Sequence, residues 1–555
     1  MLSDPRRTVL NKDSIAVLFL AAIWVLTELL VNPVGEFPLN DDWSYTLSLQ
    51  NWYHTRHYHL LGWTSMPLVS QLAWGLMFCK AFGFSFTVLR YSTVVLGLVG
   101  GIGAYFLARE FTGNKGIAFL AALILLLNPI YLNLSNTFMT DVPFTSFLIL
   151  SLLFFVKGLR QDKMVYIIQA FFFVLVATFV RQLGLLAACA FSFALVMKEQ
   201  FSRRSLIVSA IAVALPVGIY LFYNHWLKTQ HDIPVKYNEG IHRIKYNLFS
   251  KDHSVIAYLL TQGMNIFLYT GFFIFPFVFR LNWSAVWQQR RTPAFLVCTG
   301  VMTAVAVYCI INRHNIHVMG NVMNPFGLGT VELRDGGLLE TGNLHKLPDF
   351  LWHLLCLAGI IGGGVLLWTI FHCLGNMKNI EPAVLLLLSF FGLYCFVMLA
   401  AGTYDRYLLP LVPIGIVLLL ATIPSSSFVF FRRYASILFL LAGAWFSIAG
   451  TANYLSWNRA RWNALHYLMD EKGIPYTHID GGFAFNGYYG YTDADISRLK
   501  DHPGPDRKSW WWVQDDQYLL AFGPIKGYSV LKTYPCAGTL FPASMSSVFV
   551  LRRID

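Results

Sequence analysis

The chain has 555 residues, of which 56% are hydrophobic, 16% aromatic and only 13% charged. A soluble domain carries about 25% charged residues, so the composition excludes an ordinary soluble protein and implies a polytopic membrane protein. The formal net charge of +12 does not point to nucleic acid, because many basic residues sit in short loops on alternate sides of apolar runs, as the positive-inside rule requires.

The first apolar run, Ser14–Val31, approaches the roughly 20 residues a spanning helix needs. No small-residue cleavage site follows it, so it is expected to be a retained first helix, with Arg6, Arg7 and Lys12 holding the N-terminus in the cytoplasm. Residues 32–85 then form a first outer loop. It is too polar to span but rich in Trp, Tyr and Leu, which suits helices lying in the interface plane. Further spans are expected over 86–108, 116–132, 142–156, 164–180, a run ending at 197, 205–223, a run ending at 279, 293–311, 351–373, 382–401, 407–423 and 434–454. Clusters such as Lys157/Arg160/Lys163, Lys198/Arg203/Arg204 and Arg432/Arg433 mark the inner turns of these thirteen helices. The outer segments are a polar stretch, 224–254, and a Gly- and Asn-rich loop, 312–350, expected to be mobile.

After residue 454 the chain changes character. The stretches GGFAFNGYYG and HPGPDRKS are turn-rich, and YSVLKTY and SSVFVLRR read as strands. The expected organisation is a membrane domain over 1–454 and a small α/β domain over 455–555 on the outer face. The eight cysteines lie mostly inside apolar runs without a CxxC pair, as small core residues do. The two halves do not repeat each other, which weakens an inverted-repeat transporter reading.

The stretch that carries chemistry is Phe37–Tyr45, FPLNDDWSY. Carboxylates at the mouth of a membrane protein are costly unless solvated, paired or used. Asp41 and Asp42 join Glu36, Asp141 and Asp405 as outer-face acids, and Arg56, Arg90, Arg181, Lys236, Arg243, Lys245, Arg313 and Arg406 are the outer-face bases. Acids and bases converging in one cavity suit a reaction that removes a proton and stabilises an anion. Glycosyl transfer from a polyprenyl-phosphate sugar has both needs. Its acceptor hydroxyl is a poor nucleophile helped by a carboxylate base, and its leaving phosphate needs cations near its oxygens, a role suited to the planar Arg fork.

Plainer readings stand beside these. Asp41 and Asp42 suit a helix N-terminus, and Asp141 suits the start of a helix. Arg181 suits lipid headgroups, and Arg406 an interfacial anchor. His54, His57 and His59 with the Asp pair have metal-ligand chemistry in a weakly specific pattern. Glu28 lies near the outer end of the first helix, where it would face the same cavity. Trp510, Trp511 and Trp512 suit sugar binding, membrane docking or a domain core.

The motifs NDDWSY after the first helix, MTDVPF before the fourth, RQLGL after the fifth and DRYLLPLVP entering the twelfth resemble glycosyltransferase family 39. That family belongs to the C-type membrane glycosyltransferases and includes protein O-mannosyltransferases and the lipid A aminoarabinose transferase. The resemblance implies a C-type glycosyltransferase fold and an inverting transfer from a polyprenyl-phosphate donor on the outer face. The family's first acidic pair is usually Asp-Glu; here it is Asp41-Asp42. Asp41 falls at the catalytic position, Asp42 beside it, and Asp141 at the second acidic position, near the acceptor or a metal. Arg181 falls near the donor phosphate, and Arg406 with Tyr407 matches the motif entering helix 12.

The expected site therefore comprises Asp41, Asp42 and Asp141 as catalytic residues. Arg90, Arg181, Arg406 and Tyr407 are expected at the donor phosphate, and Trp43, Tyr45, His54 and Arg56 at the acceptor or sugar. No cofactor is assigned from the sequence, and a divalent cation is the candidate. The expected partners are a polyprenyl-phosphate-linked sugar, a glycan, lipid or protein acceptor, and the lipid bilayer of a bacterial inner membrane. The rival function is a lipid-linked sugar flippase or transporter, which predicts charges deep in several spans and access from both faces. A non-catalytic assembly subunit is a third reading, distinguished by tolerating loss of the outer-face acids.

Overall fold

In a computed structural model of the chain, the described residues are 12–230, 233–281, 283–288, 290–314, 316, 320–336, 344, 346–375, 377–422, 433–492, 512–513, 515–537 and 545–554. Arg6, Arg7, Arg432, Trp510, Trp511 and the HPGPDRKS turn lie outside them.

The helices are, in chain order, α1 (Lys12–Val31), α2 (Asp42–Thr55), α3 (Val69–Phe82), α4 (Phe86–Phe111), α5 (Lys115–Leu126), α6 (Pro129–Ser135), α7 (Asp141–Gln161), α8 (Met164–Thr178), α9 (Leu185–Lys198), α10 (Arg203–Thr229), α11 (Glu239–Phe249), α12 (Val255–Val278), α13 (Trp283–Gln288), α14 (Pro293–Ile311), α15 (Asp349–Gly375), α16 (Pro382–Ala401), α17 (Leu411–Thr422), α18 (Arg433–His466) and α19 (Phe483–Gly490). Among the described residues, ten helices are long and apolar enough to cross a membrane. An eleventh crossing arises if α5 and α6, bent by 61°, count as one. Asn128 makes that bend: its side chain caps α6 through the Ile130 and Tyr131 N–H groups, with Pro129 at the first helical position. The remaining two expected spans are the shorter apolar helices Met164–Thr178 and Gln182–Lys198. Every expected span thus falls on helix, but three of the thirteen are not single straight crossings.

Small residues set the closest helix contact. α12 packs on α15 along Gly271, Gly359, Gly362 and Gly363, where a Cβ on Gly271 would collide with the Gly359 carbonyl. Lipid tails are as apolar as leucine, so helix association in a membrane relies on such close backbone approach.

One end of the bundle is capped by two layers. α2 and α3 lie in the segment between α1 and α4. Above them sits a four-stranded sheet of β3 (Ile479–Asp480), β4 (Tyr518–Ala521), β5 (Tyr528–Pro535) and β6 (Ser547–Arg553), in the order β3-β4-β6-β5. β3 and β4 pair in parallel and the other pairs are antiparallel. The two strands expected from short apolar runs are β5 and β6. α18 runs unbroken from the bundle into this layer, so the expected boundary at 454/455 lies within one helix.

The loop expected to be mobile is instead pinned over residues 320–336, the longest stretch of it that the structure describes. Asp405 accepts the backbone N–H groups of Asn321, Val322 and Met323. Asp335 accepts those of Phe522 and Gly523. Glu332 is held by Asn40, Arg461 and Ala484. Gly and Asn content signalled backbone freedom, but the distant carboxylate of Asp405 and the loop's own Glu332 and Asp335, bonded to distant segments, take that freedom away.

Candidate active site

The site begins where the chain leaves α1. Asn40 adopts a left-handed conformation, φ 55°, which asparagine tolerates better than most residues. Its backbone N–H donates to Glu332 Oε1 at 2.9 Å, and the two residues that follow diverge. Asp41 stands at the N-cap of α2 and Asp42 in its first turn, the expected place for acids at a helix N-terminus, but the Asp41 side chain makes no capping hydrogen bond. Its Oδ1 accepts the Trp63 indole N–H at 3.0 Å, and its Oδ2 lies 3.3 Å from Arg406 Nη2. Asp42 turns inward and is fully buried. It accepts the Leu39 N–H at 2.6 Å and the Phe138 N–H at 3.0 Å, tying the exit of α1 to the turn before α7. Burial pushes its carboxyl up to about 7, against those two donors and the charge of Arg90. Asp42 is thereby a structural clasp for this segment, and the cavity wall belongs to Asp41.

Arg406 sits in a short 3-10 turn, Asp405–Leu408, between α16 and α17. The buried Asp405 carboxylate also accepts the Arg406 N–H at 2.7 Å, which fixes the turn. Behind Arg406 lies Asp141, 1% exposed, whose Oδ2 is 3.7 Å from Arg406 Nη1. Arg181 completes the row. Its Nη2 donates to Asp141 Oδ1 at 2.8 Å and its Nε to Thr140 Oγ1 at 2.7 Å. Asp41, Arg406, Asp141 and Arg181 therefore alternate in sign from the cavity wall into the bundle. The Tyr407 ring lies beside both cations, with each guanidinium carbon 5.2 Å from its centroid. Arg406 Nε and Nη1 have no hydrogen-bond acceptor among the described residues. A buried guanidinium with donors to spare has reserve capacity for an anion.

Asp41, Tyr45, Arg406 and Tyr407 line a cavity of about 540 Å³. Lys236, Glu239 and Arg243 come from the segment after α10, Asn321 and Glu332 from the pinned loop, and Phe483 from α19. Lys236 Nζ lies 3.0 Å from the Trp63 ring centroid. Burial lowers the Lys236 ammonium below its ordinary range, partly offset by Glu239 and Asp41. Arg243 pairs with Glu239 at 2.7 Å.

Several expected site residues are elsewhere. Arg90 is buried, with its guanidinium donating to the carbonyls of Pro33, Gly35 and Phe37. It shapes the strand-like exit of α1 and does not line the cavity. Trp43 is wholly buried in an aromatic cluster with Trp63, Phe483, Tyr491 and Trp512, which joins α2 to the C-terminal layer. Trp512, the described member of the Trp triplet, is thus core. His54 and Arg56 are exposed at the end of α2 and outside the cavity lining. Among the described residues no three His, Cys, Asp or Glu side chains converge as metal ligands. Glu28 opens on a different cleft.

Sequence reasoning missed Trp63, Glu239 and Glu332 as cavity residues. Glu332 is 2% exposed and joins Asn40, Thr330, Arg461 and Ala484. Gly482, at φ 88°, lets the chain pass the Glu332 carbonyl where a Cβ would sit 2.7 Å from its oxygen. No local pattern marks Glu332, because its partners lie in three other segments. It is one of four acids in the loop over 312–350, with Asp335, Glu340 and Asp349, and nothing in the sequence singles it out.

Residues 51–226 match the model of the family described as dolichyl-phosphate-mannose-protein mannosyltransferase. The match supports glycosyltransferase family 39. Asp141 and Arg181 fall inside the matched segment, while Asp41 and Arg406 flank it in the sequence and meet it in the fold. A curated relative, an uncharacterized protein of Aquifex aeolicus (strain VF5), is 27% identical over 291 residues, covering 50% of this chain and 55% of the relative. The chain spans about half the length of that relative. Among solved structures, ArnT from Cupriavidus metallidurans bound to undecaprenyl phosphate is similar at 14% identity and a TM-score of 0.43, covering 96% of this chain and 97% of that one. Its apo state is similar at 13% identity and a TM-score of 0.36, with the same coverage. Superposition that loose carries no weight for this chain's site.

Proposed function

We propose that the protein is an inverting glycosyltransferase that moves a sugar from a polyprenyl-phosphate donor to an acceptor hydroxyl, at the cavity lined by Asp41 and Arg406. The observation that carries this reading is the ion pair itself: a carboxylate and a guanidinium share one cavity wall. The match of residues 51–226 to the dolichyl-phosphate-mannose-protein mannosyltransferase model agrees with the donor class.

In the proposed reaction Asp41 removes the acceptor hydroxyl proton. The acceptor oxygen attacks the anomeric carbon from the face opposite the phosphate. The new C–O bond forms as the carbon–oxygen bond to phosphate breaks, and the electron pair leaves on the phosphate oxygen. That product anion is matched by Arg406, with Lys236 and Arg243 on the same cavity. Donors already aimed at the developing charge need no reorganisation during the reaction. Asp141 and Arg181 act from behind, setting the position of the Arg406 fork. The prenyl tail runs down the lipid-facing helices. The Lys/Arg alternation supports an outer-face position for this end of the bundle, which in this reading is the periplasmic side of a bacterial inner membrane.

The deciding experiment reconstitutes the full chain in liposomes with a radiolabelled polyprenyl-phosphate sugar and an extract of envelope glycans, lipids and proteins. Sugar transfer to any acceptor, lost in Asp41→Asn, supports the reading. Movement of the donor across the bilayer without transfer would overturn it in favour of a flippase.

A further inference from the structure

A second pocket, of about 500 Å³, shares a wall with the cavity at Pro325. The Pro325 carbonyl accepts the Leu347 N–H at 2.8 Å. The charged and polar walls of this pocket are Arg313, Lys346, Asp349 and His353. All four are exposed, and none makes an ion pair or a side-chain hydrogen bond among the described residues. With His353 counted as neutral, two cations face one carboxylate and leave one positive charge for a ligand. The surface beside the pocket is built for lipid. Arg313 follows α14 and Asp349 opens α15, two helices that pack together with Cys309 and Cys356 in hydrogen-bond contact. The 19 residues of α14 reach about 28 Å, close to the thickness of the hydrocarbon core, so its end puts Arg313 at headgroup level. α14 is almost wholly exposed, and its last turn shows Ile310 at 77% and Ile311 at 73%. On α15, Phe350, Leu354 and Leu357 are exposed, and their spacing puts them on one stripe. His353 stands beside that stripe, three residues from Phe350 and four from Leu357.

We propose that this pocket binds the headgroup of an anionic phospholipid, whose acyl chains lie against α14 and α15. Charge and surroundings select that chemistry. A phosphodiester carries one negative charge, the complement of the one positive charge in the walls. The Arg313 fork and the Lys346 ammonium donate to phosphate oxygens, and the His353 ring offers a further N–H. A zwitterionic headgroup would bring its own ammonium among two cations, with no net charge to attract it. Free phosphate has the charge but no chains, and would leave the apolar stripes of the two spans uncovered. Each Lys or Arg near a membrane surface strengthens attraction to anionic lipid by about fivefold in affinity. Asp41 and Arg406 line the cavity and not this pocket.

The proposal is independent of the transfer reaction, and its test reads binding alone. The purified full chain is placed in phosphatidylcholine nanodiscs that carry a small fraction of phosphatidylglycerol with a diazirine in its acyl chain. A parallel sample carries the same fraction of phosphatidylcholine with the same photoreactive chain. After irradiation, labelled peptides are mapped by mass spectrometry. The glycerol lipid is expected to label the 307–313 and 350–357 stretches about fivefold or more above the choline lipid. Arg313→Gln with Lys346→Gln is expected to remove that excess, whereas Arg313→Lys with Lys346→Arg, which keeps both charges, retains it. Equal labelling by the two lipids in the wild-type protein overturns the proposal, as does an unchanged preference in the glutamine double variant. Loss of the excess on adding inorganic phosphate at constant ionic strength assigns the pocket to a free anion and also overturns it. If the glutamine variant does not fold, the wild-type comparison of the two lipids and the phosphate competition decide alone.

Discussion

Arg406 reaches Asp41 at 3.3 Å across 365 positions of sequence. The same guanidinium lies 3.7 Å from Asp141. One side chain therefore joins the outer loop after α1, the start of α7 and the turn before α17.

The two adjacent acids should separate in an assay. Asp41→Asn is expected to lower the transfer rate by about 10²–10⁴, the range for loss of a general base, with donor binding retained. Asp42→Asn keeps one acceptor oxygen in its clasp and is expected to lower the melting temperature while leaving transfer within about tenfold. Turnover and thermal melting of both variants check this. Equal loss of turnover in folded Asp42→Asn would mean that the pair acts as one catalytic unit.

Arg181→Met leaves the Asp141 carboxylate, 1% exposed, with only the longer contact to Arg406. Removing one partner of a buried pair costs about 3–5 kcal/mol, so a large fall in thermal stability is expected. The double replacement Arg181→Met with Asp141→Leu should recover part of it. A double variant no more stable than Arg181→Met would show that the pair is not the source of the loss.

Glu332→Gln should uncouple the loop from the C-terminal layer. The buried Arg461 guanidinium, 2.8 Å from Glu332 Oε2, would lose its charged partner. The expected result is faster limited proteolysis within 320–336 and a raised KM for donor, with helix content by circular dichroism unchanged. Wild-type protease resistance in this variant would assign the pinning of the loop to Asp405 and Asp335 alone.

Lys236 is predicted to set an alkaline limit on donor binding. Burial lowers its ammonium pKa, so the cation is present at neutral pH and is lost as pH rises, earlier than for an exposed lysine. The KM for donor should climb on that limb. Lys236→Arg, whose guanidinium stays charged, should flatten the climb, and a matching pH profile in the variant would remove Lys236 from the phosphate contacts.

Chelation gives a further check. Arg406, Lys236 and Arg243 together supply cationic charge on the cavity, so transfer is expected to persist in EDTA. Activity lost on chelation and restored by magnesium would add a cation to the donor site.

The membrane topology was legible because the bilayer imposes a local rule. Each span needs a long apolar run, and each turn declares its side through Lys and Arg. Strands β5 and β6 were legible for the same reason, since a short apolar run between turn-rich stretches is a short-range pattern. So was the cast of Asp41, Asp141, Arg181 and Arg406, through motifs that sit at helix ends. What the linear pattern left undecided was which charged residue does what. Arg90 and Arg406 are both outer-end arginines, yet one is consumed by the Pro33, Gly35 and Phe37 carbonyls and the other faces the cavity. Asp41 and Asp42 are neighbours, yet the left-handed turn at Asn40 leads one to the cavity and the other to the Phe138 N–H. Glu332 carries no local signal at all. Span and strand follow from contacts between residues near in sequence; the role of a charge follows from partners tens to hundreds of positions away, and only the folded chain brings those together.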